Sequence, residues 1–263
     1  DPEIDAIYVG SPHHMHRDHA IMCMEAGKAV LCEKPFAINS TQAREMVECA
    51  RKNNVFLMEA MWTRFLPALD KLRELIAAGE IGELRMVMSD FGFQAQCDPE
   101  SRLFAPEMGG GGLMDVGVYS VSLATMLLGE AIEIASLMEP AATGVDGQAG
   151  IVIKHKTGMS VIATGVETNT PVISHIIGTE GTLLIDNPWF AAETLTLIKG
   201  DEHTKIDMPK VGGGYNHQAV AVGEALAAGK TECDIMSLDE SIMIMETLDA
   251  IRAQWDLKFP MEK

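Results

Sequence analysis

The first 60 residues alternate between short apolar runs and helix-forming segments, and this order restricts the fold more than any other feature of the chain. Apolar runs are found at 5–9, 29–32 and 55–59, and helices are predicted between them at 16–26 and from 39–41 to 53. Three short strands separated by two helices form a βαβαβ unit with a parallel sheet. Because parallel strands end at one edge of their sheet, the loops that follow the first two strands should share a ligand-binding crevice.

The rest of the chain is dominated by short strands. Helices are predicted at 67–78, 113–128, 215–228 and 237–254, and strands at 83–93, 149–155, 159–166, 173–177, 182–185, 193–198 and 204–208. Successive short strands joined by glycine-containing turns are typical of an antiparallel sheet. The fold class is therefore α/β plus α+β: a parallel sheet, then a domain with a large, mostly antiparallel sheet covered by helices on one face.

Lys34 is the first candidate catalytic residue. It lies in the tripeptide Glu33-Lys34-Pro35, directly after the apolar run 29–32. Proline ends the strand, because its ring fixes φ and removes a hydrogen-bond donor. An ammonium group held in the crevice could orient a substrate or transfer a proton. By itself the tripeptide also fits an ordinary surface turn.

Asp115 and Tyr119 are the second and third candidates. They are four residues apart in the predicted helix 113–128, so that a helix places them on one face. A phenol beside a lysine is suited to reducing a carbonyl or oxidising a carbinol, and the ammonium should lower the pKa of Tyr119. Asp115 would orient the substrate or the lysine. The alternative is that Tyr119 is a core residue with a satisfied hydroxyl.

Four histidines, His13, His14, His16 and His19, are close together in the sequence and could chelate a metal ion. No cysteine or second acidic cluster lies nearby to complete the coordination shell. We therefore predict no metal site, and place His16 at the ligand crevice instead.

Five segments resemble, in order, the Gfo/Idh/MocA family of NAD(P)-dependent oxidoreductases. They are DAIYVGSPHHMH, AGKAVLCEKPFA, AMWTRFLPALDKLRELIAAGEIGEL, GGGGLMDVGVYSVSLATMLLG and GGGYNHQAVAVGEALAAGK. The segment 62–65, Tyr119 and Phe259-Pro260 are most similar to the dimeric dihydrodiol dehydrogenase branch. The resemblance implies NAD or NADP as cofactor and hydride transfer between nicotinamide and a sugar, polyol or cyclic diol.

The resemblance also implies a division of the chain and a set of site residues. Residues 1–65 would be the C-terminal part of a dinucleotide-binding Rossmann domain, and 66–263 a substrate-binding and oligomerisation domain. The catalytic residues would be Lys34, Tyr119 and Asp115. Contacts with the nicotinamide end of the cofactor would come from Ser11, Pro12, His16, Glu33, Lys34, Pro35, Trp62 and Arg64.

The glycine fingerprint G-x-G-x-x-G that binds the pyrophosphate in such domains does not occur in the sequence. The chain opens at Asp1-Pro2, where the later strands of the family's first domain begin, so about two βα units are expected to be absent. The alternative function is therefore a non-catalytic family member that acts as an oligomerising or small-molecule-binding module.

Composition restricts the partners. With 38 acidic and 20 basic residues the net charge is −18, which argues against nucleic acid and anionic membranes. No apolar run was expected to approach membrane-spanning length. The five cysteines are scattered and odd in number, which predicts reduced thiols and a cytoplasmic location. The uncovered sheet face must be solvated or buried by a partner, and the resemblance implies a homo-oligomer, a dimer, through this face.

Overall fold

The computed structural model, which describes residues 1–262, confirms the predicted βαβαβ unit. Strands β1 (Ala6–Val9), β2 (Ala29–Glu33) and β3 (Leu57–Ala60) form a parallel sheet in the order β1-β2-β3, connected by helices α1 (His16–Glu25) and α2 (Ser40–Asn53). β3 and most of β2 are buried, as expected for parallel strands that are covered on both faces.

Two local signals set the ends of these helices. Gly27, just after α1, has a φ of +75°, the left-handed conformation that favours glycine after a helix. The side chain of Asn39 caps α2 by accepting a hydrogen bond from the backbone N–H of Gln42 at 2.9 Å. Because β1 and β2 are parallel neighbours, the loops that follow them lie at one edge of the sheet, where a ligand site was predicted.

The remaining helices are α3 (Pro67–Ala77), α4 (Val118–Leu128), α5 (Tyr215–Ala227) and α6 (Leu238–Gln254). A π-helical turn, Leu113–Gly117, leads directly into α4. π turns within helices are frequent at functional sites, because the extra residue moves side chains out of α-helical register.

An eight-stranded sheet forms the larger part of the molecule, in the order β11-β10-β9-β8-β4-β7-β6-β5. Every neighbouring pair is antiparallel except β4 and β7, which are parallel. The strands are β4 (Leu84–Gly92), β5 (Ala131–Pro140), β6 (Asp146–His155), β7 (Met159–Gly165), β8 (Ser174–Gly178), β9 (Thr182–Ile185), β10 (Thr194–Lys199) and β11 (Glu202–Asp207). β5 was not predicted. It is an edge strand with no fully buried residue, so its apolar pattern is weak.

Helix α4 packs on one face of this sheet, where Ser120 Oγ lies 2.9 Å from Ser89 Oγ of β4. The opposite face is open. Met88, Leu137, Val152 and Met159 are 42%, 83%, 37% and 41% exposed there, on four adjacent strands. These four residues define the open sheet face. Helix α6 contacts both β5 and the βαβαβ unit through α2, and the domain boundary at 65/66 stays a prediction.

The expectation about membrane-spanning length was wrong for one segment. Within the described residues, the helical stretch Pro106–Leu128 is long and apolar enough by composition, with a mean hydropathy of 1.4. Its most apolar window is 89% buried inside the protein. The stretch is apolar because it includes helix α4, whose residues are nearly all buried between the sheet and α6.

Candidate active site

A cavity of about 290 Å³ opens at the carboxyl ends of β1 and β2. Its lining comes from the two loops that were predicted to meet, together with one arginine of a later loop: Gly10, Ser11, Pro12, His13, His16, Glu33, Lys34 and Arg102. Five predicted site residues, Ser11, Pro12, His16, Glu33 and Lys34, therefore lie together in three dimensions. Ligand sites of open α/β sheets are found at this edge.

Lys34 lines this cavity and contacts Asp115 and Tyr119, which lie behind its lining. Lys34 Nζ donates a hydrogen bond to the backbone oxygen of Asp115 at 2.7 Å and lies 3.6 Å from its carboxylate Oδ1. The same nitrogen lies 4.9 Å from the centroid of the Tyr119 ring. The lysine of the smaller unit and the tyrosine of the larger one thus converge on one cleft.

The glycine run before α4 sets the position of Asp115. A Cβ at Gly111, which has a φ of +114°, would lie 2.1 Å from Asp146 Oδ1, so that only glycine fits. Asp146 in turn accepts a hydrogen bond from the backbone N–H of Leu113 at 2.6 Å, at the start of the π turn. Burial raises the pKa of Asp146 to about 7, although this backbone hydrogen bond opposes the shift.

Charges around Asp115 hold it ionised. Burial favours its neutral form, but Lys34 and Arg102 outweigh burial and keep the pKa of Asp115 below its ordinary value. Arg102 Nη1 lies 2.6 Å from Asp115 Oδ1. Burial lowers the pKa of Lys34, and Arg102 lowers it further, while Asp115 and Glu33 act in the opposite direction.

The prediction that Lys34 lowers the pKa of Tyr119 was wrong. The pKa of Tyr119 is raised well above its ordinary value, chiefly because the side chain is buried. The Tyr119 hydroxyl accepts a hydrogen bond from Trp62 Nε1 at 3.0 Å, whereas Lys34 lies over the ring. The hydroxyl is therefore a neutral phenol in this structure, and removal of water outweighs the neighbouring charge.

His16 ties the two loops of the cavity together. Its Nδ1 lies 2.9 Å from the carbonyl oxygen of Pro35, and its Nε2 lies 2.8 Å from that of Ser11. Burial lowers the pKa of His16, although these two carbonyl groups oppose the shift, and a neutral ring donates to only one carbonyl at a time. His16 therefore forms a wall of the cavity, and one of its nitrogens donates a hydrogen bond to a loop carbonyl.

Two further predicted residues are held by short-range contacts. One carboxylate oxygen of Glu33 accepts a hydrogen bond from the backbone N–H of Lys34 at 3.1 Å, and the other accepts one from the Tyr8 hydroxyl. Ser11 Oγ lies 3.0 Å from His19 Nδ1. Within residues 1–262, no group of three or more His, Cys, Asp or Glu side chains could hold a metal ion.

Arg64 and Trp62 do not line this cavity, and their contact with the nicotinamide stays a prediction. Each of the three nitrogens of Arg64 has a protein partner, among them Ser122 Oγ at 2.9 Å and Glu240 Oε1 at 2.7 Å. Both residues follow β3, which is separated from β1 by β2. Arg64 contacts α4 and α6, and Trp62 contacts Tyr119 of α4 and Tyr215 of α5.

Sequence reasoning missed Arg102 and the aromatic cluster around Tyr119. This cluster consists of Trp62, Phe91, Tyr119, Phe190 and Tyr215. The Phe91 and Phe190 rings stack at 4.2 Å, and those of Trp62 and Tyr215 at 4.4 Å. These residues come from five separate segments, so no local pattern indicates that they meet. Arg102 lies in an irregular loop with no motif of its own.

Comparison with protein families gives two matches that together span most of the chain. Residues 1–61 match the model described as the oxidoreductase family with an NAD-binding Rossmann fold. Residues 69–184 match the GFO/IDH/MocA C-terminal domain.

Curated relatives include trans-1,2-dihydrobenzene-1,2-diol dehydrogenases. The protein of this name from Xenopus laevis is 36% identical over 273 residues, covering 99% of this chain and 81% of the relative. The Homo sapiens protein is 34% identical over 279 residues, covering 100% of this chain and 81% of the relative.

Solved structures share the fold at lower identity. An aldose-aldose oxidoreductase from Caulobacter crescentus, complexed with glycerol, superimposes with a TM-score of 0.87 at 23% identity over 96% of this chain and 77% of its own. A levoglucosan dehydrogenase, in complex with NADH and levoglucosan, superimposes with a TM-score of 0.87 at 20% identity. The match covers 99% of this chain and 81% of the levoglucosan dehydrogenase chain. This chain belongs to the Gfo/Idh/MocA family, whose members are NAD(P)-dependent oxidoreductases acting on CH–OH groups.

Proposed function

We propose that this protein oxidises a hydroxyl group of a cyclic diol, and reduces the corresponding carbonyl, in the cleft between Lys34 and Tyr119. The observation that carries the proposal is the convergence of these two side chains on Asp115 at the carboxyl edge of the parallel sheet. The names of the curated relatives, which are diol dehydrogenases, support the substrate class.

The cavity fits the nicotinamide end of a dinucleotide. It lies at the ends of β1 and β2, and its walls are the loop Gly10–His13, the ring of His16 and the side chain of Glu33. Ser11, Pro12 and Glu33 would hold the cofactor there. The nicotinamide, when bound, supplies or accepts the hydride.

Tyr119 is positioned to hold the proton that the substrate oxygen gains or loses. An indole N–H is a donor only, so the contact with Trp62 occupies a lone pair of the Tyr119 oxygen and leaves the phenolic hydrogen free. That hydrogen can be donated to a carbonyl oxygen as it becomes an alcohol.

Lys34 has a separate role. Its ammonium, held by the backbone oxygen of Asp115, stabilises negative charge on the reacting oxygen. The carboxylate of Asp115 keeps this ammonium charged in a site where burial disfavours it. Lys34 therefore stabilises the negative charge, and Tyr119 transfers the proton.

The aromatic cluster favours a ring-shaped carbon skeleton. Phe91 and Phe190 lie beside Tyr119, with ring centroids 5.5 Å and 6.1 Å away. Aromatic faces of this kind pack against apolar rings and exclude water from the reacting carbon. A cyclic diol combines an apolar ring with two polar oxygens, which matches an aromatic wall beside charged groups.

The test is turnover of trans-1,2-dihydrobenzene-1,2-diol and cyclohexane-1,2-diol with NAD and with NADP, followed by the absorbance of the reduced nicotinamide. Tyr119→Phe should lower kcat by about 10²- to 10⁴-fold while leaving cofactor affinity unchanged. Thr125→Val removes another buried hydroxyl of α4 and should leave kcat unchanged. Absence of turnover with every diol and both cofactors would favour the non-catalytic alternative.

We also propose that the protein forms a homodimer through the open sheet face. Leu137 is 83% exposed there, and a hollow of about 400 Å³ lies beside it between β5, β6 and β7. Large exposed apolar side chains on one face are typical of an interface. Leu137→Glu should convert a dimer to a monomer in analytical ultracentrifugation, whereas a monomeric unsubstituted protein would contradict the proposal.

A further inference from the structure

Arg102 and Lys34 share one carboxylate oxygen at the mouth of the cavity. Arg102 Nη1 lies 2.6 Å from Asp115 Oδ1, and Lys34 Nζ lies 3.6 Å from the same atom. Both side chains line the cavity, but they differ in exposure: Lys34 is 13% exposed and Arg102 is 54% exposed. Two cationic donors of one cavity are thus held side by side.

Most of the donors of Arg102 are free. A guanidinium carries five N–H groups, and within residues 1–262 its side chain makes a single hydrogen bond, to Asp115. Arg64 shows the contrast, since all of its nitrogens are taken by protein atoms. The free N–H groups of Arg102 are therefore available to a ligand in the cavity.

The loop that carries Arg102 is fixed to the glycine run that precedes the π turn and α4. The backbone N–H of Gly111 donates to the carbonyl oxygen of Leu103 at 2.8 Å, and Phe104 is fully buried. A Cβ at Gly110 would lie 3.0 Å from the carbonyl oxygen of Arg102, so the two segments are packed closely. The backbone at Arg102 is therefore held close to the segment that carries Asp115, within reach of the contact between their side chains.

The charges that face the cavity balance. Lys34 and Arg102 are positive, and Glu33 and Asp115 are negative. His13 adds no charge near neutral pH, because burial, with a smaller effect of Lys34, lowers its pKa to about 3. A site with equal opposite charges favours a neutral polar ligand over a carboxylate or a phosphate.

We propose that Arg102 binds the second oxygen of a vicinal pair, the hydroxyl or carbonyl oxygen on the carbon next to the reacting carbon, while Lys34 binds the reacting oxygen. This inference rests on the proposed function and makes it more specific. A planar fork of donors beside an ammonium offers separate partners to two neighbouring oxygens. Arg102 is thereby the residue that selects a diol over a simple alcohol.

The experiment compares cyclohexane-1,2-diol with cyclohexanol, which lacks the second oxygen. Arg102→Met should lower kcat/KM for the diol by about 10- to 100-fold, the loss of one charge-assisted hydrogen bond, and change the value for cyclohexanol by less than about threefold. Arg102→Lys, which keeps the charge without the fork, should give an intermediate loss.

Arg51→Met is the matched control. The side chain of Arg51 is 53% exposed and pairs with Asp239 at 2.7 Å, so it resembles Arg102 in exposure and in its single carboxylate partner, but it lies on α2 away from the cavity. It should leave both substrates unaffected. If Arg102→Met lowered kcat/KM equally for the diol and for cyclohexanol, Arg102 would only hold Asp115 in place, and the proposal would be overturned.

Two further outcomes are decisive. A preference of the unsubstituted protein for 2-hydroxycyclohexanecarboxylate over the diol, lost in Arg102→Met, would identify a carboxylate ligand and overturn the neutral class. If no alcohol is turned over, the proposed function fails, and binding is then measured by tryptophan fluorescence. Tighter binding of the diol than of cyclohexanol, abolished in Arg102→Met, would still support the role of Arg102; equal binding would overturn it.

Discussion

Lys34 and Arg64 are both buried cations that contact the helical region around Tyr119, but the protein uses them differently. Arg64 is 3% exposed, and its nitrogens are bound to Ser122, Glu240 and the backbone of Ile235. Lys34 is 13% exposed, donates one hydrogen bond to the backbone of Asp115 and lines a cavity. The two side chains are similarly buried, but they differ in how many of their hydrogen-bond donors have no protein partner.

The difference separates a structural cation from one that can act on a ligand. A buried charge is stable only when its donors have partners, and protein atoms supply a partner for each nitrogen of Arg64. Lys34 keeps donors for a group that enters the cavity. Unused donors of a buried cation at a cavity, rather than burial itself, therefore mark the functional residue in this fold.

Lys34→Met is expected to have the largest effect on catalysis. Loss of the ammonium should lower kcat by at least about 10³-fold, because charge on the reacting oxygen loses its stabilising partner. Cofactor affinity, measured by nicotinamide fluorescence, should change little. Near-normal turnover in this variant would show that the site is assigned to the wrong cleft.

Arg64→Met tests the other half of the comparison. Removing the guanidinium leaves Glu240 without its partner and Ser122 without its donor, so the free energy of unfolding should fall by about 3–5 kcal/mol in urea titrations. Arg51→Met, which breaks an exposed pair, should cost less than about 1 kcal/mol. A stable Arg64→Met protein with weakened cofactor binding would instead support the predicted nicotinamide contact.

Glu59 lies in the same buried region as Arg64 and carries no hydrogen bond within the described residues. Burial raises its pKa from 4.5 to about 7, despite the opposing effects of Ser241 and Arg64. Between pH 4.5 and about 7 the native state therefore binds more protons than the unfolded state. The contribution of protonated Glu59 to the free energy of unfolding is fully present below pH 4.5 and is lost as the pH rises through about 7.

Glu59→Gln should abolish that dependence. At pH 8 the variant should be more stable than the unsubstituted protein by roughly 2–4 kcal/mol, and near pH 4.5 the two should be equal. Thermal unfolding across this range measures the effect. Glu202→Gln, at an exposed position of β11, is the control and should leave the profile unchanged. A parallel shift at all pH values would contradict the assignment to Glu59.

The smallest expected effect concerns pH and catalysis. Burial lowers the pKa of Lys34 below its ordinary value of 10.5, and the raised pKa of Tyr119 keeps the phenol protonated. Carbonyl reduction needs the ammonium, so kcat/KM should fall about tenfold per pH unit once pH exceeds the pKa of Lys34. A reduction rate that stays constant up to pH 10.5 would show that Lys34 is not the titrating group.

Much of the fold follows from local pattern. The order of strands and helices in the first 60 residues is confirmed within a few residues, and a cap at Asn39 and a glycine at Gly27 mark two of the helix ends. These features depend on neighbouring residues, whose conformational preferences act over a few positions. The edge strand β5 escaped prediction, because its side chains are exposed on one face and only half-buried on the other, which leaves a weak apolar pattern.

The candidate site was predictable only in part. The positions of Lys34, Asp115 and Tyr119 follow from strand ends and helix spacing, and the structure brings them together. The raised pKa of Tyr119 did not follow, since it depends on how completely the surrounding protein removes water from the hydroxyl.

The sequence by itself determined the kinds of element, their order and the types of group at the strand ends. Only the tertiary structure decided that Arg64 is bound by residues of α4 and α6, whereas Arg102 reaches the carboxylate of Asp115. Local sequence encodes backbone conformation, but the partner of a charge is chosen by packing between segments far apart in the chain. Desolvation and the supply of hydrogen-bonding atoms at that contact then fix what the charge can do.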